Sequence, residues 1–149
     1  MKQYIGTKMI HARPMTRGAY NEYRGWTIPA DENPEDDGYL VRYPDGYESW
    51  SPKAVFEAAY RLTDGMSFGL AIEAAKQGKK IARSGWNGKG QYVELATGIS
   101  YTNNSGEVVN AEHAAIGNKA LAFVGTSGVQ LGWLASQADM LAEDWYIVE

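Results

Sequence analysis

A chain of 149 residues has room for one compact domain or two small ones, and an apolar fraction of 44% suits a folded protein rather than a disordered tail. A net charge of -4 argues against a general nucleic-acid coat, which needs a basic face to displace counterions, yet permits a small anionic ligand held by local donors. With no cysteine there is no disulfide framework, thiolate zinc site or cysteine nucleophile, which fits an intracellular protein. Met1–Gly6 holds no long apolar run, so no signal peptide is expected, and no stretch approaches the ~20 apolar residues of a membrane helix.

The pattern predicts an α+β protein of two small units, 1–62 and 66–149, parted at the short polar stretch Leu62-Thr63-Asp64-Gly65. In the first unit, Gly6 to Ala12 has strand character. Thr16 to Arg24 predicts a short helix capped by Thr16, with Tyr20 and Tyr23 on one face. Residues 31–38 are acidic and turn-rich, and their charges, with those of Asp45 and Glu48, are expected in solvent. Tyr39–Tyr43 and Tyr47–Trp50 flank Pro44-Asp45-Gly46, a hairpin signature. Ser51-Pro52 then opens a helix through Val55, Phe56, Ala59 and Tyr60, with proline at its first position.

In the second unit Ser67 caps a helix carrying Phe68, Ala71, Ile72 and Ala75 at helical spacing, and Gly78 stops it. Strands are expected at 79–86 and 91–96, with a turn at Gly88-Lys89-Gly90. Residues 100–117 are polar, with a turn at Asn103–Gly106 and a short helix near 111–116. Strands follow at 120–124 and 129–133 around Gly125-Thr126-Ser127-Gly128, then a helix over 136–143 and a strand over 145–148. The second unit therefore reads as a short antiparallel sheet with helices.

Two tryptophan motifs carry the chemistry: Arg83-Ser84-Gly85-Trp86-Asn87-Gly88-Lys89, and Trp133 through Ser136-Gln137-Ala138-Asp139-Met140 to Trp145. An indole is a stacking platform for a planar base, and amide, hydroxyl and cationic neighbours can hold ribose and phosphate. Trp86 would stack and Asn87 read a base edge, with Gly88 letting a ligand approach the backbone. The plainer reading is a core tryptophan before an Asn-Gly turn. Ser136 and Asp139 fit a capping box; the helix start would bind phosphate and Asp139 a ribose hydroxyl, or the box would only cap. Trp133 is a second stacking face or a turn anchor. Lys79, Lys80 and Arg83 contact phosphate or simply solvate an edge. His11 and His113 have no partner motif, and 125–128 lacks the P-loop lysine.

Together these motifs, with Met66-Ser67-Phe68-Gly69-Leu70-Ala71-Ile72-Glu73-Ala74 and the run Gly78 to Lys89, resemble the Thoeris anti-defence 2 family of phage proteins over about 66–149. The resemblance implies small α+β subunits assembling as a homotetramer in the cytoplasm of the infected host. It implies sequestration of an immune signalling nucleotide without cleavage: glycocyclic ADP-ribose, and in some members cyclic dinucleotides at a separate site. Carried over by position, Phe68, Trp86, Asn87, Trp133 and Asp139 are the leading pocket residues, and Arg83, Lys89, Ser136, Gln137 and Met140 the second rank. No catalytic residue, metal, cofactor, nucleic-acid polymer or membrane is expected. The stretch 99–121 is longer than a minimal loop, and residues 1–62 resemble a small phage domain of unknown role. Two alternatives stand beside the sponge: an enzyme degrading the same nucleotide through His113 with Glu112 or through Asp139, and a protein-interaction module using Tyr39, Tyr43, Tyr47 and Trp50.

Overall fold

The computed structural model describes residues 1–115 and 117–149. The chain divides into two compact units, Met1–Arg61 and Leu62–Glu149. Both mix helices with antiparallel sheet.

In the first unit, strands β1 (His11–Pro14), β2 (Gly38–Arg42) and β3 (Glu48–Pro52) form an antiparallel sheet in that order. The helix α1 (Arg17–Arg24) starts where Thr16 Oγ1 accepts from the Ala19 N–H at 3.2 Å, and it ends at Gly25, whose φ of 72° suits glycine. The hairpin closes at Gly46, φ 89°, with Arg42 opposite Glu48. Adjacent Leu40 and Val41 are both buried, as expected of a central strand covered on both faces. The helix α2 (Lys53–Ala59) packs on β2 and β3, stacking Phe56 on Tyr39 with ring centroids 4.1 Å apart.

Three expectations for this unit change. Strand pairing begins at His11 rather than Gly6, because β2 runs out at Arg42, the residue opposite His11. Ser51 and Pro52 finish β3 opposite Tyr39 and Gly38, so proline caps α2 instead of opening it. The acidic loop is only partly solvated. Glu32 Oε1 accepts from Arg17 Nε at 2.6 Å and Asn21 Nδ2 at 3.2 Å, and Glu48 takes the Tyr23 hydroxyl at 2.7 Å and Arg42 at 3.1 Å.

In the second unit, helix α3 (Phe68–Lys76) precedes strands β4 (Lys80–Arg83), β5 (Tyr92–Thr97), β6 (Tyr101–Thr102), β7 (Val108–Val109), β8 (Lys119–Gly125) and β9 (Gly128–Leu131). Helix α4 (Gln137–Leu141) and strand β10 (Trp145–Val148) follow. The main sheet has the order β10-β4-β5-β8-β9, and β6 pairs only with β7. Ser67 caps α3, and Gly78, φ 89°, lies just past its end. Buried Ala71, Ala74 and Ala75 form a small-residue face that lets α3 approach β4, β5 and β10 closely. Opposing residues share a face, so the register places Ile147, Ile81, Val93 and Phe123 in one row across four strands. Arg83 and Trp145, paired in the next row, lie on that same face.

The strand expected over 79–86 stops at Arg83, where β10 also begins; Ser84 then donates to the Asp144 carbonyl at 3.2 Å and the chain turns. The last helix is shorter than 136–143, because Ala142 is already extended. Residues 111–115 form turn and bend, not helix, and Ile116 lies outside the described residues. Asn110 and His113 have φ of 59° and 53° there. The Asn110 side chain donates to the Ile99 carbonyl at 2.6 Å and accepts from the Ala115 N–H at 3.2 Å, competing with helical bonds. The polar stretch also holds a short hairpin, β6–β7, with Tyr101 opposite Val109 and Thr102 opposite Val108. Asn103 Oδ1 builds its turn by accepting from the Ser105 and Glu107 N–H groups, both at 3.0 Å.

Candidate functional site

Asp139 ties three elements together. Its backbone starts α4, where Ser136 Oγ accepts from the Asp139 N–H at 3.1 Å and Asp139 Oδ2 accepts from the Ser136 N–H at 3.2 Å. Its other oxygen, Oδ1, accepts from Arg83 Nη1 on β4 at 2.9 Å and from the Trp86 indole at 3.0 Å. The Trp145 indole donates to its carbonyl at 2.9 Å. Burial pushes this carboxyl up, but the Trp86, Arg83 and Ser136 donors outweigh it and hold the pKa down to about 2.

Arg83 is shared between two carboxylates. Its Nε donates to Asp144 Oδ1 at 2.8 Å while Nη1 serves Asp139. The Arg83 and Asp139 side chains are only 18% and 14% exposed, so the pair is largely withdrawn from water. Asp144 also accepts from the Gly85 N–H at 2.8 Å, and a Cβ on Gly85 would come within 2.7 Å of that carboxylate. The Arg83 guanidinium, helped by Gly85 and opposed by burial, holds Asp144 below the usual carboxylate range.

Around this frame sits an aromatic cluster centred on the fully buried Trp145. Phe68 lies 5.4 Å from it, Trp86 5.3 Å and Trp133 6.2 Å, and Trp86 meets Trp133 at 6.1 Å and Phe123 at 5.8 Å. The four contacts of Trp133, Phe123 and Trp145 with Trp86 or with each other are edge-to-face, with interplanar angles of 61–78°. Trp86 and Trp133 remain half-buried, so indole surface is left at the rim.

The structure thus brings Phe68, Arg83, Trp86, Trp133 and Asp139 into one network, with Ser136 as its cap. Asn87, Lys89, Gln137 and Met140 are exposed, and none is a partner in the recorded side-chain hydrogen bonds among the described residues. Three of the expected roles are altered by this geometry. Asp139 already takes three donors from the protein, and the start of α4 is closed by its own box. The backbone at Gly88 is covered by the Gln91 amide, which a Cβ there would strike. Two members were missed, Asp144 and the central Trp145. Trp145 was signalled by an aromatic opening a short apolar strand; the Asp144–Arg83 pairing spans 61 positions and left no local mark.

Residues 66–148, more than half of the chain, match the family described as the Thoeris anti-defense 2-like domain. The chain belongs to that family. The protein Thoeris anti-defense 2 of Bacillus phage SP01 is 40% identical over 88 residues, covering 56% of this chain and 94% of that relative. Every candidate residue from Phe68 to Met140, and both missed members, fall inside the Thoeris anti-defense 2-like span. The first unit falls outside it.

Proposed function

We propose that the second unit captures an immune signalling nucleotide, such as glycocyclic ADP-ribose or a cyclic dinucleotide, and holds it without cleaving it. Family membership makes the chain a phage anti-defence protein. The observation that supports it best is the pair of half-buried indoles, Trp86 and Trp133, fixed 6.1 Å apart on a frame of ion pairs. A rigid aromatic rim stacks a base without loss of side-chain freedom, and Arg83 acts as a positioning residue rather than a phosphate ligand. Exposed Asn87 and Lys89, just past Trp86, then supply a base-edge contact and a phosphate cation.

Non-destructive capture agrees with the state of the carboxylates. Asp139 and Asp144 are held ionised and tied to Arg83, which makes them poor proton donors near neutrality. Glu112 and His113 are exposed in the turn region outside this network. Nanomolar capture needs ~12 kcal/mol, and stacking supplies only ~1–3 kcal/mol per base. The remainder calls for enclosure, hence a pocket completed by other copies of the chain. Exposed Val129, Leu131 and Leu134, on and just beyond edge strand β9, provide apolar surface for a homotetramer.

Titration calorimetry of the whole chain with glycocyclic ADP-ribose and cyclic dinucleotides tests the rim. Trp86→Ala should weaken binding by about tenfold or more, the worth of one stack, whereas Trp86→Phe should keep part of it. A folded Trp86→Ala protein that binds as tightly as the parent would remove the stacking pocket from this position.

A further inference from the structure

The first unit contains a half-open cavity of about 490 Å³, within the ~300–1,000 Å³ usual for small-molecule sites. Its lining includes Arg17, Tyr20, Asn21, Trp26, Glu32 and Trp50, all contributed by this unit alone. Much of the chemistry there is spoken for. Arg17 lies over the Trp50 ring, 5.1 Å from its centroid, and a Cβ on Gly38 would strike that same indole. Trp50 donates to the Met15 carbonyl at 2.7 Å. Tyr20 meets Trp26 edge to face at 5.9 Å.

What is left over has a definite pattern. Trp26 lines the cavity and is 56% exposed, with Arg24 over its ring at 5.4 Å from the centroid, so a stacked ligand shares the indole with that cation. The recorded bond of Arg17 leaves from Nε, to Glu32 Oε1 at 2.6 Å, so its two Nη groups remain donors. Glu32 Oε1 takes both Arg17 and Asn21, so Oε2 remains an acceptor. Asn21 is 5% exposed, and its Nδ2 is committed to Glu32 at 3.2 Å. Its Oδ1 accepts none of the recorded bonds, yet no fully enclosed side-chain polar atom lacks a partner among the described residues. The oxygen therefore keeps some accessible surface, and Asn21 is among the residues that line the cavity. Residues carrying two acceptors, a guanidinium donor and an indole thus line one recess.

We propose that this cavity is a ligand site for a nucleobase, which stacks on Trp26, gives its N–H groups to Glu32 Oε2 and Asn21 Oδ1, and accepts from Arg17 through a ring carbonyl. Donors beside a carbonyl describe the edge of guanine; adenine and the pyrimidines offer a poorer match. The lining is charge-balanced, one guanidinium against one carboxylate, which suits a neutral planar ring better than a free phosphate. The site is independent of the tryptophan rim in the second unit.

The test uses the whole chain and four free nucleosides, guanosine, adenosine, cytidine and uridine, followed by chemical-shift changes at the tryptophan indole N–H groups. Guanosine should shift the Trp26 and Trp50 signals and bind most tightly of the four. Trp26→Ala should weaken that binding by about tenfold or more while leaving nucleotide capture by the second unit unchanged. Glu32→Gln, which keeps the shape but swaps an acceptor for a donor, should lower the preference for guanosine. Unperturbed Trp26 and Trp50 signals at millimolar nucleoside would overturn the proposal. So would binding insensitive to Trp26→Ala in a variant whose thermal unfolding matches the parent's.

Discussion

The Asp139 carboxylate joins Arg83 on β4, the Trp86 indole and the start of α4. This carboxyl, held down to about 2 from the usual 3.8, contributes about 2 kcal/mol of stability. The carboxyl is depressed in the folded state, so this stability is complete above pH ~4 and is lost as pH falls through about 2. Asp144 is shifted in the same direction and steepens the loss. Urea unfolding between pH 5 and pH 2 should show this fall, and Asp139→Asn should lower stability at pH 5 while flattening the slope. A slope unchanged in Asp139→Asn would mean that other carboxylates govern acid unfolding. Arg83→Leu strands the largely buried Asp139 carboxylate and takes the cation from Asp144, which is 32% exposed, and should cost about 3 kcal/mol by denaturant titration. Arg83→Lys should not rescue it, since an ammonium cannot present the two-armed fork that Asp139 and Asp144 share.

At the scale of elements, much of the chain is legible because local chemistry dictates it. Thr16, Ser67 and Ser136 each accept from an N–H three residues on, as their positions before helical patterns foretold. The hairpin at Pro44-Asp45-Gly46 and the pairing around Gly125–Gly128 follow from turn residues between β-rich runs. What local chemistry leaves out is set by distant partners. The end of β4 is fixed by Asp144, the start of β1 by the length of β2, and the fate of 110–115 by the Asn110 side chain. The site was legible as a pair of motifs but not as a network, since Arg83 meets Asp139 and Asp144 across 56 and 61 positions. Ser136→Ala should therefore cost about 1 kcal/mol as a lost cap, because the Asp139 N–H loses its acceptor while the Ser136 N–H still donates to the Asp139 carboxylate. Urea titration of that variant checks the loss, and the Trp86 indole N–H chemical shift should stay near the parent's because its bond to Asp139 Oδ1 survives. Gly38→Ala should destabilise the first unit by about 1–3 kcal/mol, because the added methyl meets the Trp50 ring and the Ser51 carbonyl.

At the scale of the whole molecule, the family span and the second compact unit nearly coincide, 66–148 against Leu62–Glu149. A chain of residues 62–149 should therefore fold and keep the nucleotide affinity of the full protein, as calorimetry can show. Val129→Lys on edge strand β9, where Val129 is 70% exposed, should split the proposed homotetramer in sedimentation velocity and weaken capture with it. A monomeric parent protein with full affinity would remove the shared pocket. The central claim, capture without cleavage, meets its most direct test when the purified whole chain is incubated with glycocyclic ADP-ribose isomers and cyclic dinucleotides. After free ligand is filtered away, heat releases what the protein held, and mass spectrometry identifies it. Intact nucleotide recovered in stoichiometric amount is the expected result. Altered nucleotide would make the protein an enzyme, and recovery of none would contradict nucleotide capture altogether.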